Sequence, residues 1–123
     1  MIMMINIRKI AQDSRGKIFA MEDEGKQFAN IITIKEGMSR GGHFHDVAEV
    51  INVLDGKIAF SQINPNGKGK ETVDTFSAGE QIVIEPGMAH MITAKEDSLI
   101  LENRGPCKTE AYAPYRNVVE RNK

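Results

Sequence analysis

Along this chain the apolar residues fall in short β-branched runs broken by turn residues, with no sustained helical period. Six runs, 27–35 (QFANIITIK), 49–54 (EVINVL), 57–63 (KIAFSQI), 81–85 (QIVIE), 90–94 (HMITA) and 98–103 (SLILEN), predict strands. Between them lie Asp55-Gly56, the NPNGKG cluster at 64–69, Ser77-Ala78-Gly79, Pro86-Gly87 and Glu96-Asp97, all suited to tight connections. Short strands with turns at such close spacing predict an all-β antiparallel sandwich or barrel. Only the tail, 114–123, has a helical pattern, with Pro114 in its first turn and Val118 and Val119 as its apolar anchors. That helix is expected to dock on the barrel rather than to carry chemistry. Neither a repeat nor a linker interrupts the pattern, so a single domain, 1–123, is expected.

Length and composition narrow the class of partner. The 123 residues, 41% of them hydrophobic and 27% charged, match a single core that buries roughly two-thirds of the unfolded surface. Sixteen basic against seventeen acidic side chains leave a net charge of −1. Such a balance supplies no basic footprint for nucleic acid or an anionic membrane, so small molecules or other proteins are the expected partners. The opening MIMMINIRKIA is broken at Asn6 and Arg8 and is not read as a signal peptide. With a single cysteine, Cys107, no internal disulfide can form, and a cytoplasmic location is expected.

Candidate chemistry lies in two windows that hold all three histidines. His43 and His45 are two apart, which on an extended segment turns both imidazoles to one face. Glu49 keeps that parity if the chain stays extended across 46–48. His90 follows the Pro86-Gly87 turn, expected to return a later strand beside the first. Three neutral imidazoles and one carboxylate suit one divalent transition metal, Mn, Fe, Co, Ni, Cu or Zn, without selecting among them. An octahedral ion held by four protein ligands keeps two positions open for Lewis-acid chemistry.

The glycine spacing around these residues adds a resemblance. GMSRGGHFHDVAEVINVLDG, 37–56, resembles the first motif of the cupin superfamily, with Gly37, His43, His45, Glu49 and Gly56 all in register. GEQIVIEPGMAH, 79–90, resembles the second, with Gly79, Gly87 and His90 in register. It departs where Pro86 directly precedes Gly87 and where Ala94 stands in place of a frequent Asn. The resemblance implies a single cupin barrel, a double-stranded β-helix of jelly-roll type, with a metal at its mouth. Carried over residue by residue, it implies His43, His45, Glu49 and His90 as the ligands.

Cupins share a fold more than a reaction, so the activity has to come from the site. The first expectation is a metal-dependent enzyme acting on a small keto, carboxylate or sugar substrate, with dioxygenase chemistry among the reactions it covers. Its pocket would be lined by residues such as Ile34, Ile51, Met88 and Ile92. Arg40, opposite to His43 in strand parity, reads either as a solvated loop residue or as a clamp for phosphate or carboxylate. RGGHFH, 40–45, and DSRGKIF, 13–19, also resemble segments of cupins that isomerise or epimerise nucleotide-linked sugars. That resemblance implies a second expectation, histidines serving as acid and base. A third is a ligand-binding or sensory cupin without catalysis. Tyr112 and Tyr115 are read as edge packing and Phe44 as core. The apolar stretch from Met1 to Ile10 is expected to cover an edge strand of a second subunit in a homodimer.

Overall fold

A computed structural model describes residues 4–67 and 69–123; the first three positions of the expected dimer segment lie outside the described residues. Strands β1 (Asn6–Asp13), β2 (Gly16–Asp23), β3 (Lys26–Ile34), β4 (Ser39–His45), β5 (Glu49–Asp55) and β6 (Lys57–Ile63) come first. They are followed by β7 (Thr72–Ser77), β8 (Gln81–Ile84), β9 (Ala89–Ala94), β10 (Ser98–Asn103), β11 (Thr109–Ala111) and the helix α1 (Ala113–Arg121). Two sheets form, in the orders β1-β2-β3-β10-β5-β8 and β11-β4-β9-β6-β7. Every pairing described is antiparallel. The chain crosses between the sheets repeatedly, as in a jelly-roll barrel with a short C-terminal helix.

All six predicted strands are present, within a residue or two of their expected ends. The sequence reading omitted β1, β2, β7 and β11, and treated 39–45 only as an extended segment. Three of the omitted strands, β1, β7 and β11, are edge strands. β7 and β11 lie at sheet edges and are largely exposed, so TVDTFS and TEA carry little apolar alternation. In β1 the burial pattern is almost wholly exposed, and a bulge at Lys9 to Ala11 breaks its period of two.

The core lies between the sheets. Ile32, Ile34, Ile51, Val53, Ile58, Phe60, Ile82, Ile84, Ile92 and Ile100 form one buried cluster. Alternation explains their selection: paired residues such as Ile32 and Ile100, or Ile51 and Ile82, project to the same inner face.

Helix α1 covers the outer side of β4 and β9, where Tyr115 and Val119 pack on Ala89 and Met91, with Phe44 beside them. Phe44 therefore belongs to this outer cluster. Tyr115 is buried, and its hydroxyl donates to Glu71 at 2.6 Å. Gly42 permits the approach: its φ is +85°, and a Cβ there would lie 2.8 Å from the backbone of Arg116. Arg116 in turn donates to the carbonyl of Gly41 at 2.9 Å.

Candidate metal centre

The site is assembled from both sheets at one end of the barrel. β4 and β9 pair so that His43 stands directly opposite His90, which places both imidazoles on the inner face. The link that returns β9 beside β4 is the Pro86-Gly87 turn, whose Gly87 amide donates to the carbonyl of His45 at 2.7 Å. The three imidazole centroids lie 4.5, 5.0 and 5.4 Å apart. One nitrogen of each ring lies within 4.8 Å of the other two, close enough for the three histidines to hold a metal ion.

Glu49 reaches the same point by a different route from the one expected. The chain does not stay extended across 46–48; it bends after β4 and enters β5 in the opposite sheet. From there the Glu49 carboxylate, 1% exposed, faces back across the barrel. Its Oε2 lies 3.1 Å from His45 Nε2 and its Oε1 lies 3.6 Å from His90 Nε2. Convergence here comes from two sheets facing each other, and same-strand parity plays no part.

The imidazoles are oriented from behind. His90 Nδ1 donates to the carbonyl of Met88 at 3.0 Å, which turns Nε2 toward Glu49. His45 Nδ1 shares a hydrogen bond with Thr109 Oγ1 at 2.8 Å, so the three-residue strand β11 has a specific task at the site. Burial holds the imidazoles in their neutral form. His43 is pushed down to about 3, first by burial and then by its neighbours His90 and His45. His45 and His90 are also lowered, chiefly by burial. The Glu49 carboxyl is pushed up by burial, with His90 and Arg104 acting against that rise.

His45 Nε2, His90 Nε2 and both oxygens of Glu49 are buried without a hydrogen-bond partner. A neutral His90 that donates through Nδ1 directs a lone pair at Glu49, so with the carboxyl ionised acceptor faces acceptor. Leaving such groups unsatisfied costs about 1–3 kcal/mol each, and a cation between them removes the conflict. The donor set, imidazole nitrogen with carboxylate oxygen, is therefore suited to a divalent metal.

Beside these residues opens a cavity of about 760 Å³, lined by 26–30 of β3 and by 102–106. Arg104 bridges the two features: its Nε lies 3.2 Å from Glu49 Oε2 and its side chain lines the cavity. Glu102, which accepts from Asn30 Nδ2 at 3.0 Å, is the next inward residue on β10. Cys107 Sγ sits 3.0 Å from Arg104 Nη1 and 3.6 Å from His45 Nδ1. The sequence reading missed Thr109, Asn30, Glu102 and Arg104. The alternation of Glu102 and Arg104, continuing the inward parity of Ile100, was the available signal.

The expected substrate residues occupy other places. Ile51 and Ile92 lie within the buried core, Ile34 with them, and Met88 packs against it. They form an apolar layer next inward from Glu49 and His90, and none of them lines the large cavity. Arg40 is not a solvated loop residue. It is 6% exposed and pairs with Ile92 on β9. The register shift between Gly41 and His43 inserts one residue, which returns Arg40 to the inner face and corrects its expected opposition to His43. Its Nη2 lies 3.8 Å from Asp13 Oδ1, in an ion cluster with Arg15, and its Nε and Nη2 make no hydrogen bond.

Comparison with known proteins bears on the same region. A family model described as Cupin matches residues 19–102. No curated protein sequence matches the chain. Among solved structures, the capsular polysaccharide assembling protein CapF from Staphylococcus aureus aligns with a TM-score of 0.67 at 21% identity, over 80% of this chain and 28% of that one. Oxalate decarboxylase from Bacillus subtilis aligns with a TM-score of 0.67 at 19% identity, over 87% of this chain and 30% of that one. The Drosophila melanogaster CENP-C cupin domain aligns with a TM-score of 0.65 at 15% identity, over 82% of this chain and 75% of that one. This chain thus spans less than a third of the first two proteins, and these likenesses establish the fold alone.

Proposed function

The chain belongs to the cupin family, and from that premise we propose that it is a metal-dependent enzyme acting on a small polar substrate. His43, His45, His90 and Glu49 hold one divalent transition metal, drawn from Mn, Fe, Co, Ni, Cu and Zn. The observation that carries this reading is the meeting of four buried nitrogen and oxygen atoms of His45, His90 and Glu49, contributed by both sheets, none of which makes a hydrogen bond. Mn(II) centres are described for the oxalate decarboxylase of similar fold, in keeping with this donor set.

Within such a site each residue has a definable task. Thr109 and the Met88 carbonyl fix the ring orientations of His45 and His90. Ile51, Met88 and Ile92 keep the floor dry, which strengthens electrostatic interactions above it. When bound, the ion supplies Lewis-acid polarisation of a substrate carbonyl or carboxylate. The substrate enters from the cavity between β3 and 102–106. No helix among the described residues is long and apolar enough to cross a membrane. A cytoplasmic location belongs to this reading, on the ground of the single free cysteine, Cys107. So does a homodimer formed through β1, whose Ile5, Ile7 and Ile10 neighbourhood leaves apolar side chains exposed.

The test is elemental analysis of protein purified without chelators, followed by turnover assays on keto acids, 1,3-diketones and sugars. About one metal per chain is expected, lost in His45→Ala together with any turnover. Activity surviving both chelation and that substitution overturns the proposal.

One observation favours a second reading, a nucleotide-sugar isomerase or epimerase. Segments 13–19 and 40–45, separate in sequence, meet at the Asp13, Arg15 and Arg40 cluster, where two buried guanidinium nitrogens of Arg40 make no hydrogen bond. CapF, similar in fold, is a capsular polysaccharide assembling protein. Saturable binding of a nucleoside diphosphate sugar supports this alternative, and the absence of such binding removes it.

A further inference from the structure

Arg104 contacts the same carboxylate oxygen that faces His45, and it does so from the cavity side. Its Nε lies 3.2 Å from Glu49 Oε2, buried and without hydrogen-bond geometry. Its second carboxylate neighbour, Glu102 Oε1, is farther away at 3.9 Å and already accepts from Asn30. The guanidinium is thus held between two carboxylates, of which the nearer is the one the metal reading requires. Lys26 adds a second cation to the cavity lining, and Phe28 adds an exposed ring.

The geometry points to Arg104 as a carboxylate anchor that is released for ligand binding when a metal takes Glu49. This inference rests on the metal reading above and names the substrate class of that site: a small organic monocarboxylate whose apolar body lies along Phe28. Before metal binds, Arg104 neutralises Glu49 in place of the ion. Once Glu49 ligates the ion, its negative charge is spent there and Arg104 loses its closest counterion. A freed guanidinium has a fixed planar fork that matches a carboxylate bidentately. Cationic Arg104 and the metal therefore oppose each other at Glu49, whereas metal and carboxylate ligand favour each other through it. Such linkage is reciprocal, so each of the latter two tightens the binding of the other.

The opposed signs give a test that a merely structural arginine would fail. Calorimetric titration of Co²⁺ into wild type, Arg104→Gln and Arg104→Lys measures metal affinity. Titration of 3-phenylpropionate, with 3-phenylpropanamide as the neutral control, measures the anchor with and without Co²⁺. Removing a positive charge this close to the site is expected to tighten Co²⁺ by about tenfold in Arg104→Gln. The same variant is expected to lose at least about tenfold in affinity for 3-phenylpropionate when Co²⁺ is bound, with Arg104→Lys intermediate. Wild type is expected to bind the acid more tightly with Co²⁺ than without, and the amide weakly in both states. Unchanged or weaker Co²⁺ binding by Arg104→Gln overturns the inference, as does undiminished binding of the acid by that variant, which would assign the carboxylate to the metal alone. Co²⁺ binding that is normal in wild type and absent in His45→Ala leaves the metal reading standing in either case. Failure of wild type to bind Co²⁺ overturns both.

Discussion

His90 donates through Nδ1 to a backbone carbonyl, and a carbonyl can only accept, so the neutral ring has just one nitrogen left to offer and it points at Glu49. Burial keeps that ring, and those of His43 and His45, neutral, the protonation state that metal ligation requires. A consequence is measurable in metal-free protein. The His43 imidazole is held at about 3, below its ordinary 6.5, so between those values the unfolded chain binds a proton that the folded one refuses. Stability contributed by the neutral ring is complete above about pH 6.5 and is lost as the pH falls toward 3. Glu49 and Glu102, raised by burial, act in the opposite sense, so the contribution of His43 is read as a difference between proteins. Urea unfolding at pH 7.5 and pH 5 should show wild type losing more stability on acidification than His43→Gln. Equal losses would contradict the assignment. The histidines and Glu49 were legible as candidates because their types and spacing are unusual in so small a chain. Arg104 was harder to read, since it lies just past the end of β10 and only its parity with Ile100 and Glu102 separates it from a solvated arginine.

At the level of elements, the strands that bury an alternate set of residues were legible and the exposed edges were not. β5 and β10 alternate clearly and β9 is buried on both faces, whereas β7 and β11 are largely exposed. The largest error of placement came from the bulge before His43. Parity counting assumes a regular strand, and the extra residue between Gly41 and His43 reverses the face of everything before it. Arg40 turned inward for that reason. The bulge also lets α1 press on β4, and Gly42→Ala is expected to cost more than about 2 kcal/mol, from the positive φ and from backbone overlap with Arg116. Denaturant unfolding measures the loss, and a cost under about 0.5 kcal/mol would show that helix and strand yield freely. Because His43 directly follows Gly42, displacement of the helix should also loosen the site.

Across the whole molecule, two sheets facing each other achieve what a single strand could not. The His-x-His pair comes from one sheet and the carboxylate from the other, so the site exists only when the barrel is closed. The cavity at its side and the apolar layer beneath it give the polar cluster one wet flank and one dry one. On the outside, β1 is an edge strand with Ile7 58% exposed and Ile5 and Ile10 exposed beside it. Such an edge is covered in most stable proteins, and a second copy of β1 is the simplest cover. Sedimentation should therefore find a dimer at micromolar concentration that Ile7→Lys weakens; wild type remaining monomeric would contradict that arrangement.

Anomalous diffraction from crystals grown with Mn²⁺ tests the central claim most directly. One strong peak is predicted, at coordination distance from a nitrogen of His43, His45 and His90 and from a Glu49 oxygen, with Arg104 no longer in contact with that carboxylate. A Mn²⁺-containing crystal in which Glu49 still pairs with Arg104, and in which the ion lies elsewhere or the histidines bind none, would contradict it.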